Sequence, residues 1–122
     1  MVATTACLSQ TLKITDVNCS DEKDFKQANE NALGKNMVLT IYDKTVKVVI
    51  PKSKPMFLSK SSDDQYYGVT DDTKSEIWTA NLIINTTLGI ITSAKLIVTV
   101  TPKRGSFSFN YTESCTLTAK RF

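Results

Sequence analysis

Hydrophobic and polar positions in this chain change period once, at Gly34, and that change divides the sequence. Before it, Phe25, Ala28, Ala32 and Leu33 recur at i, i+3, i+7 and i+8, one apolar stripe on a helix. Ser20 is placed to cap that helix, Asp21 and Glu22 put negative charge in its first turn, and Gly34 supplies a stop. The spacing predicts a short amphipathic helix over 21–33, with a short strand before it around Thr11 to Thr15. After Gly34 the period is two. Met37, Leu39 and Ile41 alternate with Val38, Thr40 and Tyr42. Beyond a turn at Asp43-Lys44, Val46, Val48 and Ile50 alternate with Thr45, Lys47 and Val49.

Pro51 and Pro55 cannot donate to a ladder, so they predict a bend followed by an edge strand over Pro55 to Ser59. Lys60 to Asp64 reads as a polar turn and Gln65 to Thr70 as the next strand. Residues 77–101 carry a single charge, Lys95, and raise the question of a membrane span. A spanning helix needs about 20 mostly apolar residues, and Asn81, Asn85, Thr86, Thr87, Gly89 and Ser93 interrupt this one. The alternative is a long hairpin turning at Asn85 to Gly89. Trp78, Ala80, Leu82 and Ile84 then share one face, and Ile90, Ala94, Leu96, Val98 and Val100 share the other strand's. Phe107, Phe109 and Tyr111 begin a last strand whose parity continues through Cys115 and Leu117.

The pattern therefore predicts one domain over 1–122: an N-terminal segment 1–19, a short helix within 20–34 and a β-meander over 36–120. The fold class is all-β with one short N-terminal helix. About seven or eight antiparallel strands run up and down and close into a small barrel, since closure removes exposed strand edges. Composition agrees. Ser and Thr fill 28 of 122 positions, hydrophobic residues 41% and charged residues 22%, which suits a globular β domain and excludes a disordered one.

With no histidine, serine and cysteine nucleophiles lack their usual base, and metal sites lack their commonest ligand. No cofactor, metal or catalytic residue is assigned. The carboxylate pairs Asp63-Asp64 and Asp71-Asp72 are the only enzyme candidates, and they read as turn residues. The net charge of +3 is unevenly placed. Acids crowd residues 16–30, whereas Lys44, Lys47, Lys52, Lys54 and Lys60 follow with Asp43 as the one acid among them. No basic stripe with interleaved aromatics is present, which argues against nucleic acid. The start MVATTACLSQT has no basic segment leading into a long apolar run. Cytoplasm is the default expectation, with a periplasmic or secreted location if a leader was removed.

The candidate site residues are aromatic and basic: Trp78, Tyr66, Tyr67 and Tyr111, with Lys52, Lys54, Lys103 and Arg104 in loops at a rim. Tyr66 and Tyr67 must point to opposite faces if extended. Of three cysteines, Cys19 and Cys115 are placed to clasp the chain ends; free thiols are the alternative.

The short helix, the meander and the cysteine near each end resemble the small lipocalin-like (calycin-type) barrels of bacterial and phage proteins. The resemblance lies in Cys19, the strands VLTIYD and VKVVIP, Trp78 within SEIWTANLIINTTLG, and FNYTESC ending at Cys115, and covers 19–120. No Gly-x-Trp stands near its start, and no site residue of the family carries over. The resemblance implies binding in a cavity rather than catalysis. The expectation is a non-enzymatic barrel holding a small anionic or nucleotide-like molecule. The alternatives are an interaction or inhibitor module with a filled barrel and a protein partner, such as a phage or bacterial antagonist of a host protein, and a secreted or virion-associated structural domain.

Overall fold

The computed structural model describes residues 8–20, 22–102 and 113–122. Eight antiparallel strands close into a barrel in chain order, each pairing with the next and the last with the first. They are β1 (Leu8–Cys19), β2 (Asn36–Ile41), β3 (Thr45–Val49), β4 (Met56–Ser62), β5 (Gln65–Asp72), β6 (Glu76–Thr87), β7 (Ile90–Pro102) and β8 (Glu113–Lys120). One helix, α1 (Glu22–Ala32), joins β1 to β2. The all-β, up-and-down barrel with one short helix is thus the observed architecture. Among the described residues no helix is long and apolar enough to cross a membrane. Residues 77–101 form the β6–β7 hairpin, paired from Glu76↔Pro102 to Thr87↔Ile90. Its tip, Leu88-Gly89, has positive φ at both residues, the geometry that matches the twist of the flanking strands.

Several boundaries differ from the expected ones. β1 is a twelve-residue strand rather than a short one. Its register shifts between Ile14 and Asp16, so the inward set is Leu12 and Ile14 and then Val17. That parity switch hides the second half of the strand from a period-two reading. The same device acts in β7, where the register shifts opposite Asn85/Thr86, so that Ile91 is buried and Ile90, expected inward, is exposed. β4 is not an edge strand, because it pairs with β3 and with β5. The prolines that suggested an edge lie before it, in the loop. Ser20 extends the β1–β8 seam: its N–H donates to the Ser114 carbonyl (2.8 Å) and its hydroxyl accepts from the Ser114 N–H (2.9 Å). Gly34 stops the helix as expected, with φ of 78° and its N–H donated to the Ile14 carbonyl.

Side chains fill the barrel. Leu12, Ile14, Met37, Leu39, Leu58, Leu82, Ile91 and Leu96 are fully buried, and among the described residues no polar or charged one is. Eight strands enclose just enough room for such a filling. The two ends differ. At one, the strands are joined by tight turns at 42–44, 63–64 and 88–89; at the other lie α1 and the 50–55 loop. Strand β8 stops at Lys120, before the ends of β1 and β7. Gln10 spans that gap: its side-chain amide donates to the Ile91 carbonyl and accepts from the Ile91 N–H (3.0 Å). One side chain thus supplies the pair of bonds that a further strand residue would make. At the other end of the same seam Cys19 and Cys115, directly paired in register, are joined as a disulfide.

Two outcomes follow for stability. Gln10→Leu leaves both Ile91 backbone groups without this partner and lowers stability by about 1–3 kcal/mol. Urea unfolding should show a lower midpoint at unchanged slope, and an unshifted midpoint would refute the bridging role. Reduction of Cys19–Cys115, or the C19S/C115S protein, should lose about 2–5 kcal/mol, because the bond closes a loop of nearly the whole chain. Mass measurement on the denatured, alkylated protein before and after reduction checks that the bond is present.

Candidate binding recess at the helix-capped mouth

The inward faces of β5, β6 and β7 run out of barrel at the helix-capped end, and there the filling stops. Trp78 is the last large inward residue of β6, on the face of Ala80, Leu82 and Ile84. Those three are buried, whereas Trp78 keeps 36% of its surface exposed. Its partner across the β5–β6 ladder is Asp71, and across the β6–β7 ladder Val100. The β5 register shifts at Thr70, which brings Asp71 rather than Thr70 opposite Trp78.

Trp78 borders two adjoining recesses. The larger, about 460 Å³, lies between Ala28 and Asn31 of α1, the 50–55 loop carrying Lys52 and Lys54, and Asp71. The smaller, about 420 Å³, is bounded by Gln27, Glu76 and Glu113. Ala28, Asn31, Val98 and Cys115 belong to both, so the disulfide forms part of the shared wall. The loop is held by unusual backbone: Lys52, between Pro51 and Ser53, has φ of 61°. A left-handed conformation at a residue with a side chain costs about 1–2 kcal/mol and persists only where the surroundings impose it. Bracketing prolines restrict that loop further, so Lys52 and Lys54 are presented on a stiff support.

Three of the expected site residues, Trp78, Lys52 and Lys54, come together here. Tyr66 does not join them. It is buried in the barrel, opposite Leu82 of β6 and Lys60 of β4. Burial first, and the charge of Asp64 second, push its hydroxyl above the ordinary value of 10.0. Tyr67 points outward, 49% exposed, beside Val69 (55%) and Phe57 (61%) of the neighbouring strand. Lys103, Arg104, Tyr111, Phe107 and Phe109 lie outside the described residues. The carboxylate pairs are not arranged as turn neighbours of one kind. Asp63 and Asp64 sit at the tight-turn end, with Lys60 3.9 Å from Asp63. Asp71 and Asp72 end β5, where Asp71 opposes Trp78 and Asp72 opposes Ile77 on the other face.

Sequence reasoning missed Ala28, Asn31, Asp71 and Glu76 as recess residues. The helix pair sits on the stripe side that was read only as packing. Asp71 was read as part of a turn, and only the shift at Thr70 turns it toward Trp78.

Comparison with known proteins finds no matching family model. It likewise finds no matching curated protein and no matching solved structure.

Tyr66 gives a pH test of this geometry. The fold favours its neutral phenol, so the stability it contributes is fully present below about pH 10 and is lost as pH rises from there through the raised value. Absorbance titration should show a tyrosine step above pH 10 that is missing in Tyr66→Phe, whose alkaline loss of stability is smaller. A wild-type titration indistinguishable from that of the variant would contradict the burial.

Proposed function

We propose that this barrel is a non-enzymatic binding protein that holds a small anionic or nucleotide-like ligand at its rim, under α1, rather than in its interior. One observation carries the reading: the single tryptophan is left half-exposed on the wall of a recess that also receives Lys52 and Lys54. A large ring normally contributes its full area to a core. Kept at the edge of a filled barrel, it offers a flat apolar platform, and the two ammonium groups offer point charges for a phosphate or carboxylate. The likeness to lipocalin-like barrels of bacterial and phage origin supports binding as the activity, with the site moved to the mouth.

A second reading has its own support. Phe57, Tyr67 and Val69 cluster on the outer wall of β4 and β5 as exposed apolar groups on a barrel whose inside is full. This favours an interaction or inhibitor module that docks a protein partner there.

A thermal-shift panel of nucleotides, other anions, sugars and lipids separates the two. A true ligand at about a hundredfold excess over its Kd adds about 2.7 kcal/mol, a rise in Tm on the order of 10 °C. Lys52→Ala/Lys54→Ala should weaken binding by about tenfold, and Trp78→Ala should abolish the shift in a protein that still melts cooperatively. If no compound moves Tm while a partner that co-purifies with the protein is lost in Phe57→Ser/Val69→Ser, the rim-ligand proposal falls and the docking reading replaces it.

A further inference from the structure

The larger recess carries both signs of charge beside the ring, and that pairing specifies the ligand more narrowly. Asp71 stands directly opposite Trp78 across the β5–β6 ladder. Glu76 lies two residues before Trp78 on the same strand, hence on the same face. Asp71 borders the larger recess and Glu76 the smaller, with Trp78 as the wall between them. The lysines of the larger recess come from the loop between β3 and β4 and line it together with Asp71. The ring therefore has a carboxylate on either side, Asp71 in the recess that holds the lysines and Glu76 in the other.

A purely anionic ligand could satisfy Lys52 and Lys54. Its remainder would then lie against Trp78 beside the Asp71 carboxylate. An ammonium group at that place is attracted both by the ring face and by Asp71. We infer that the ligand is a zwitterion: an ammonium group, best a quaternary one, sits on Trp78 beside Asp71, and a phosphate or carboxylate sits on Lys52 and Lys54. This rests on the rim recess being the binding site. A phosphocholine-like molecule has this chemistry, whether free or as the headgroup of a lipid.

Trp78 is the only tryptophan, so the emission of the intact chain reports this site alone. Phosphocholine, choline and inorganic phosphate are titrated in turn. Phosphocholine should change the emission at a concentration about tenfold lower than either half-ligand. Asp71→Asn should raise its half-saturation about tenfold and leave phosphate binding no weaker. Lys52→Ala/Lys54→Ala should bring phosphocholine down to the level of choline. Co-sedimentation with phosphatidylcholine vesicles, set against binding of the free compound, assigns the source. The inference is overturned if phosphate binds the unaltered protein as tightly as phosphocholine, or if the carboxylate variant binds phosphocholine unchanged. It is overturned too if about 10 mM phosphocholine leaves the emission constant, since a built site gives more free energy than that. The wider proposal of a rim ligand fails separately, only when the whole panel leaves Tm fixed.

Discussion

The pairing of β1 with β8 is the constraint on which the rest of this structure depends. Every other ladder joins strands adjacent in sequence. The seam joins the two ends of the chain, and its pairs run from Lys13↔Lys120 to Cys19↔Cys115. Closing so long a loop carries an entropic cost that local pairing does not. The seam also opposes two lysines directly, an arrangement that weakens a cross-strand pair. It is fastened accordingly at both limits. Gln10 bridges to Ile91 where β8 has ended, and at the other end the disulfide and the paired Ser20 and Ser114 hold it.

Closure decides where space adjoins the core. Once eight strands meet, the inward Leu, Ile, Met and Val residues have only each other to touch, and they occupy the inside. At the tight-turn end a recess of about 540 Å³ lies over Tyr42 to Thr45, lined by the turn itself. The recesses that reach the inward faces of the strands lie at the end that holds α1 and the 50–55 loop. There the inward positions become Trp78, Val98 and Cys115, which adjoin solvent as well as core. The recess is the unfilled last layer of the barrel.

This explains which features are legible in the sequence. Strands β2, β3, β5 as far as Val69 and most of β6 announce themselves because their alternation is unbroken and one face is apolar. Trp78 could be placed on the face of Ala80, Leu82 and Ile84 by parity alone, and so could the opposite facing of Tyr66 and Tyr67; that Tyr66 is the inward one is read from the structure. Wherever a bulge inserts a residue the parity reverses, and the reading fails at that residue. Thr15 hides half of β1, Thr92 exchanges Ile90 for Ile91, and Thr70 conceals that Asp71 faces the recess. Ser20 shows another limit. Its type and position suit a helix cap, and it also bonds Ser114, 94 residues on, a partner to which no local pattern points.

The helix and the seam are one mechanical unit, which ties the recess to closure. Helix α1 leaves the barrel at Ser20, bound to Ser114, and returns at Gly34, whose N–H is held by the Ile14 carbonyl. One anchor lies on β8 and the other on β1, the two strands of the seam. The helix packs Ala28 and Ala32 against the core, while Leu33 stays exposed. Its two ends tie it to the barrel as well. Ala28 and Asn31, which roof both recesses, are therefore positioned by the same bonds that close the sheet. A barrel opened at Cys19 and Ser20 keeps β2 to β7 paired through their own hairpins. It loses first the alignment of the roof over Trp78, so the region proposed to bind is also the region whose order is most dependent on closure.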